Sequence, residues 1–419
     1  MEKFRQSLLN AERLDLAAEL ARCGDELPFL CRLADFPCGE RSLLEHTQSA
    51  MDALLGDPPP APPRSTNSVL VPWWSPMPAA YVAALFQHVG LPEACSSSAG
   101  RVPLTMPHAR ESVHVMRDVL RSWGVPFTVR EHAVALVLSQ DRPAGLVGSG
   151  APPETYMRLS CALDLMALYH LRRADRRASG AESDVESLRL EAFRKRAEEI
   201  GVFGCPYVAR LAPERMFEVG FKEPRERHRM LNSMRYFELV ARMNEEEWFV
   251  ERLRLARDKP RGRLHLLVGP AGCGKSHWAG QHLADTAIVS SDRMREELTG
   301  DPADQSQNYL VFQRCMDRIR ERLRDGEEVT FDATNYSEEL RSMPVQAARW
   351  SGAEIVSYFF DVSLAGGLAR NAMRARSVPE EAIRKQYRLL ELPALYEADR
   401  HMVVGQEGGA SLYWPAEMI

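Results

Sequence analysis

The segment Gly269-Pro270-Ala271-Gly272-Cys273-Gly274-Lys275-Ser276 constrains this chain more than any other, because it follows the apolar run Leu264–Val268 and precedes the helix-patterned SHWAGQHLADT. Strand, glycine-rich turn and helix in that order supply the context that the pattern G-x-x-x-x-G-K-[ST] requires. Its glycines let backbone amides turn inward around phosphate oxygens, and the helix behind them adds the positive end of its dipole. The pattern assigns Gly269, Gly272, Cys273 and Gly274 to a cradle for the phosphates of ATP, Lys275 to the β- and γ-phosphates, and Ser276 to Mg²⁺. Further strand-like runs follow at AIVSS, EVTFDA, EIVSYFFDV and HMVVG, separated by helix patterns. This alternation predicts a parallel sheet covered by helices on both faces, with a helical lid, over residues 259–419.

The rest of the chain reads differently. Over residues 1–185, apolar positions recur every three or four residues in ERSLLEHTQSAMDALL, PAAYVAALFQHVG, HARESVHVMRDVLRSWG and ETYMRLSCALDLMALYHLRRADRR, which predicts an all-helical domain. Clustered prolines in DPPPAPPR, Asp57 to Arg64, interrupt it with a stiff loop. Residues 186–258 are charged, helix-patterned and broken by Pro206, Pro213 and Pro224, so a helical connector is expected there. The fold class is therefore α plus α/β, and 419 residues leave room for two or three domains.

Composition narrows the function classes. With 45% hydrophobic and 26% charged residues the chain is an ordinary globular one, which excludes a fibrous or disordered protein. Fifty-three basic against 58 acidic side chains give a formal net charge of −5, so only a local patch can attract nucleic acid. Eight scattered cysteines without a Cys-x-x-Cys pair read as reduced thiols. The amphipathic N-terminal stretch is no secretion signal, and the uncharged run from Ser65 to Pro92 is cut by Pro72, Pro76 and Pro78, so a cytoplasmic protein with no membrane partner is expected. Trp73 and Trp74 receive no role.

Three later segments add chemistry to the phosphate loop. SSDRMREEL places Asp292 and Arg295 three residues apart on one helical face at the end of a strand. Asp292 there is a candidate general base for an acceptor hydroxyl, and Arg295 a candidate grip on an anionic group of that acceptor. An N-capping aspartate beside a surface arginine has the same pattern. FDATN ends the next strand with Asp332, a candidate for holding the water shell of Mg²⁺. LARNAMRARSVPEEAIRKQY sets Arg370 and Arg374 four residues apart, with Arg376 close by, where arginines over a nucleotide neutralise charge on the transferred phosphoryl group. A solvated arginine-rich helix is the plainer alternative.

Taken together, GPAGCGKS, SSDRMR, FDATN and RNAMRARSVP resemble the polynucleotide 5′-kinase family of bacteriophage and bacterial end-healing enzymes, over about residues 260–400. The resemblance implies ATP-dependent phosphorylation of a 5′-hydroxyl end of RNA or DNA in nucleic-acid repair. It carries the roles of general base to Asp292, acceptor-phosphate contact to Arg295 and donor-phosphate contact to Arg370 and Arg374. Small-molecule kinases and zeta-toxin-like kinases share much of this pattern. A P-loop kinase acting on a small hydroxyl compound and a non-catalytic, ATP-gated interaction protein therefore stand as alternatives.

In the N-terminal half, His46 in LLEHTQ, then Gln87-His88, His108, Gln140 in LSQDRP, and Asp175 resemble the HD phosphohydrolase fold over roughly residues 40–180. That family takes a one- or two-metal site from a His, a His-Asp pair, further His residues and a final Asp. Its fusion to a polynucleotide kinase is a known arrangement of bacterial RNA-repair enzymes. Here Gln87-His88 stands where the family has His-Asp, and Gln140 where it has His, leaving His46, His108 and Asp175 of the pattern. The expectation is a remnant site that has lost phosphatase activity, in a domain serving as scaffold or nucleic-acid platform.

Overall fold

The structure is a computed structural model; it describes residues 1–60, 76–95, 108–180, 184–209, 220, 223–243, 245, 247–251, 262–302, 304–374 and 376–414. Ala61–Arg64 of the proline-rich segment and the Trp73-Trp74 pair lie outside the described residues. The chain divides into two compact units, Met1–Tyr207 and Val208–Ile419.

The first unit is helical apart from a ribbon of two-residue strands, β1 (Pro37–Cys38) and antiparallel β2 (Arg41–Ser42). Ser42 then starts the helix Leu43–Gly56 through a reciprocal capping box with Glu45, so two amide donors that the helix leaves open are satisfied locally. The helix Pro76–Phe86 is apolar all round, with Ala79 to Phe86 fully buried, and such a helix belongs at the centre of a bundle. It packs against Leu43–Gly56, Phe127–Leu138 and Leu165–Ala178. Just beyond it the chain touches the helix Ala109–Ser122 so closely that a Cβ on Gly90 would lie 2.2 Å from the Ser112 nitrogen. Asp164 caps Leu165–Ala178 by accepting from the amides of Met166 and Ala167. The stretch expected as a connector is split: the helix Val185–Ile200 packs within the first unit, and Pro224–Leu239 lies in the second. Leu190, Phe193 and Ala197 give the former a buried face.

The second unit carries a six-stranded sheet of β3 (Arg263–Val268), β4 (Ala287–Ser290), β5 (Glu328–Asp332), β6 (Glu354–Phe360), β7 (Arg400–Val404) and β8 (Ala410–Trp414), in spatial order β4-β5-β3-β6-β7-β8. The first five are mutually parallel and are the strands expected from the sequence; β8 returns antiparallel on β7. β3 sits between β5 and β6 and is buried from Leu264 to Val268, as its continuous apolar run requires. Its one polar side chain in that run, His265, is held by the Tyr358 hydroxyl at 3.1 Å and by Glu328 at 2.9 Å. The helix Glu338–Ser351 is locked in by two buried ion pairs, Arg341 with Glu397 at 2.6 Å and Arg349 with Asp399 at 2.7 Å. All eight cysteines are free. No helix among the described residues is long and apolar enough to cross a membrane.

Candidate active site

The phosphate loop leaves the carboxyl end of the central strand β3 and runs straight into the helix Lys275–His282. Gly272 and Gly274 take positive φ values of +81° and +98°, a conformation that glycine alone adopts without strain. A side chain on Gly272 is further excluded by the carbonyl oxygen of Gly367, 2.4 Å from where its Cβ would lie. Gly274 occupies the N-cap without any side-chain cap, so the dipole end of the helix meets the loop through backbone alone. Lys275 is buried, and its Nζ donates to the carbonyl oxygens of Gly269 at 2.9 Å and Pro270 at 2.7 Å, placing the ammonium inside the loop. The Cys273 sulfur is 3.5 Å from that nitrogen. Ser276, one residue on, is exposed.

These features fit a nucleoside triphosphate: a backbone-lined concavity, a cation within it and no room for a Cβ at its tightest point. The metal donors fit as well. Ser276 Oγ at the first turn and the Asp332 carboxylate at the end of β5 are hard oxygen ligands, the kind Mg²⁺ prefers. Asp332 is in register with Ser290 of β4, so Asp332 and the start of the helix Ser291–Thr299 lie at the same end of the sheet.

Ser290 caps that helix through its own side chain, which leaves Asp292 in the first turn uncommitted to capping. The Asp292 side chain is 68% exposed, yet one oxygen is held by Arg295 Nη1 at 2.8 Å. Arg295 itself is nearly buried; the same nitrogen donates to Pro302 O at 3.2 Å, and Nη2 donates to Asn308 Oδ1 at 3.0 Å. Arg295 thus orients a carboxylate that is open to solvent. Its Nη1 and Nη2 are held by Asp292, the Pro302 carbonyl and Asn308, while its buried Nε has no hydrogen-bond partner.

The two lid arginines differ. Arg370, on the helix Leu364–Ala372, donates through Nη1 to Cys273 O at 2.9 Å and through Nη2 to Gln406 O at 2.6 Å, bridging the phosphate loop and the β7–β8 turn. Arg374 is exposed, past the end of that helix. Arg376 lies 3.9 Å from Asp301. Asn371 closes the intervening loop by bonding both the amide and the carbonyl of Val378.

Sequence reasoning passed over three residues that build this site. Gln386 Oε1 accepts from the amide of Ala271 at 2.7 Å, pinning the phosphate loop to the helix Glu380–Arg388. Asn335 donates to Leu267 O at 2.9 Å and braces the strand beneath the loop. Asn308 holds Arg295. Asn335 closes the FDATN segment, but neither its spacing nor that of the other two carries a signal, because each acts through a contact distant in sequence.

In the first unit, three of the six positions read as a remnant site converge on a fourth, Asp175, and a fifth, His108, touches one of the three. His46 Nε2 and His88 Nε2 each lie 2.9 Å from Asp175 Oδ1, and Gln87 Nε2 lies 3.1 Å from it. His108 Nε2 faces His88 Nδ1 at 2.9 Å. All five side chains are buried, and Arg172 pairs with the other Asp175 oxygen at 2.9 Å. Burial pushes His88 down to about 4, against the pull of Asp175. Burial by itself would raise Asp175, but Arg172 and the two histidines hold it well below the usual carboxylate range. Gln140 is buried at the end of the helix Phe127–Leu138 and makes no hydrogen bond to these residues. His88, read from the sequence as a departure, is therefore a central member of the cluster.

Against known proteins, residues 264–393 match the model of an AAA domain family. No curated protein matches the chain. Among solved structures, a gluconokinase from Sinorhizobium meliloti 1021 is similar at 18% identity over 35% of this chain and 83% of that chain, with a TM-score of 0.26. The span matched by the AAA domain model contains the phosphate loop, Asp292, Arg295, Asp332, Arg370 and Arg374.

Proposed function

We propose that the second unit is an ATP-dependent phosphotransferase whose acceptor is a hydroxyl group, and that this acceptor is the 5′-hydroxyl end of RNA or DNA. One observation carries the reading: the Asp292 carboxylate is exposed but held in orientation by Arg295, at the same sheet end as the phosphate loop. A surface aspartate with no task would have no need of a nearly buried arginine to aim it.

The geometry supports the following roles. Asp292 takes the proton of the acceptor hydroxyl as that oxygen forms its bond to phosphorus and the bond to the leaving diphosphate breaks. Arg295 keeps the carboxylate oriented and favours an acceptor that carries an anion of its own. Lys275 and the loop amides hold the donor phosphates, and Ser276 and Asp332 would hold Mg²⁺, which when bound neutralises charge on those phosphates. Arg374 is the arginine available for the transferred group, while Arg370 fixes the relation of lid helix, loop and β7–β8 turn. The resemblance of four spaced segments to end-healing kinases supports a polynucleotide acceptor, and terminal nucleotides ask for only a small basic groove.

The test is a transfer assay with γ-labelled ATP, Mg²⁺ and three acceptor sets: 5′-hydroxyl RNA, 5′-hydroxyl DNA, and small polyols with and without a phosphate. Label on a nucleic-acid 5′ end, with acceptor affinity falling steeply as salt rises, is the expected result. Label on a small compound alone overturns the polynucleotide acceptor and keeps the phosphotransferase. ATP binding with no transfer to any acceptor overturns both.

A further inference from the structure

Six large apolar side chains are exposed among the described residues: Val185, Leu188, Tyr309, Leu310, Trp350 and Met373. Val185 and Leu188 belong to the first unit, and Trp350 sets its ring edge-on against Phe237 and Trp248, with centroids 5.1 and 5.9 Å away. The other three sit on two segments, the start of the helix Asn308–Arg324 and the chain just past the lid helix Leu364–Ala372. Tyr309 is 75% exposed and Met373 79%. Apolar surface gathered in one region and left in water marks a place where something binds.

Both segments border the acceptor side of the candidate active site. The Arg295 guanidinium holds Asp292 through Nη1 and Asn308 through Nη2, so the candidate base and the residue before Tyr309 hang from two arms of one side chain. The lid comes to the same edge. Arg376 Nη1 lies 3.9 Å from Asp301, and the next carbonyl, Pro302 O, accepts from Arg295. Tyr309 is also tied at its far end, because Gln313 Nε2, one helical turn on, donates to its hydroxyl at 2.6 Å. A tyrosine held in this way offers a large flat face at little cost in conformational entropy.

We propose that Tyr309 is a specificity-determining residue for the acceptor: its ring stacks on the base of the nucleotide that carries the 5′-hydroxyl, with Leu310 extending that surface and Met373 covering it from the lid. The inference rests on the reading of the second unit as a polynucleotide kinase and adds how the terminal nucleotide is recognised. A purine or pyrimidine has an apolar flat face, which matches an exposed aromatic ring, whereas a polyol has no such face to stack. The charge beside the patch suits the rest of the strand. Arg376 and Asp301 form an exposed, long ion pair of the kind that contributes little, so Arg376 can exchange Asp301 for a phosphate of the following nucleotide. Stacking accepts any base, because every base has a π-face. The terminal base is thus required without being read.

The test uses the full chain, γ-labelled ATP, and paired 5′-hydroxyl oligonucleotides of RNA and of DNA, one of each pair with an ordinary terminal nucleotide and one abasic at that position. Wild type should show a KM about 10- to 100-fold higher for the abasic acceptor, the effect of losing one base–aromatic stack. Tyr309→Ala should raise KM for the ordinary acceptor by the same factor and leave that for the abasic acceptor unchanged, with KM for ATP and the melting temperature as in wild type. Tyr309→Phe, which keeps the ring, should behave as wild type does. Tyr309→Ala acting on both acceptors as wild type does, or a wild type that treats the two alike, overturns the proposal and leaves the polynucleotide acceptor standing. Equal losses on both acceptors in Tyr309→Ala would make Tyr309 a structural support and overturn it as well. No label on any 5′-hydroxyl end overturns the polynucleotide reading, and this inference with it.

Discussion

Arg370 Nη1 lies 2.9 Å from the carbonyl oxygen of Cys273, so a lid arginine is bonded to the backbone of the phosphate loop itself. Its partner nitrogen reaches Gln406 O, and the guanidinium thereby fixes three segments at one point. Arg374, one helical turn later, is exposed. The two arginines thus differ in setting, one bonded to the phosphate loop and the other open to solvent.

This difference is measurable in steady-state kinetics. Arg370→Ala should raise KM for ATP with a smaller effect on kcat, because it loosens the loop. Arg374→Ala should lower kcat by about 10²-fold, the usual cost of losing one donor to developing charge, with KM for ATP little changed. Equal effects on both parameters from both variants would contradict the division of labour.

Gln386 gives a second kinetic signature. Its Oε1 holds the Ala271 amide at 2.7 Å, so Gln386→Leu leaves that donor without its partner, at about 1–3 kcal/mol if water does not replace it. A raised KM for ATP is expected, restored by Gln386→Glu, whose carboxylate accepts the same bond. A Gln386→Leu variant that binds ATP as wild type does would show the pin to be dispensable.

How much of this was legible beforehand follows the range of the interactions. GPAGCGKS after an apolar strand announced both the sheet and the cradle, because a phosphate loop is local and its glycines answer local backbone demands at Gly272 and Gly274. The parallel strands were legible as short apolar runs, but β8 was not: ASLYW is a brief edge strand that exists only because the turn after Val404 returns it to β7. Asn335, Gln386 and Asn308 carried no signal, since each serves a backbone or side chain far away in the chain. The spacing of Arg295 and Arg370 leads to an expectation of ligand contacts, and it carries no sign of the bonds that both also make to protein groups. In the first unit, His88 looked like a loss, because only folding shows that its Nε2 reaches Asp175 beside that of His46.

The buried pair Arg341–Glu397 predicts a stability defect. Neither side chain is exposed, and the carboxylate also accepts from the Ala394 amide at 2.7 Å. Glu397→Gln should destabilise the second unit by about 3–5 kcal/mol, the cost of leaving a buried arginine without its counter-charge. The double change Arg341→Met with Glu397→Leu should recover much of that loss. Chemical denaturation of the three proteins checks the order.

Asp164 predicts a pH dependence of opposite sign to that of an ordinary paired carboxylate. Burial, offset only in part by the Met166 and Ala167 amides, pushes it up to about 6. Between its ordinary value and about 6 the folded protein therefore holds a proton that the unfolded chain has released, and stability contributed by this group falls as pH rises through that window. Asp164→Asn keeps an oxygen to cap the helix Leu165–Ala178 and should flatten the slope. Melting temperatures of both proteins across that range provide the comparison.

The central claim is that an exposed Asp292, aimed by Arg295, removes a proton from an acceptor hydroxyl. It is tested most directly by the single-turnover rate of phosphoryl transfer from labelled ATP to a 5′-hydroxyl oligonucleotide, in wild type and in Asp292→Asn, with ATP affinity measured on the same samples. The account predicts that Asp292→Asn binds ATP as wild type does and loses about 10²–10⁴-fold in rate. Transfer at the wild-type rate by Asp292→Asn would contradict it.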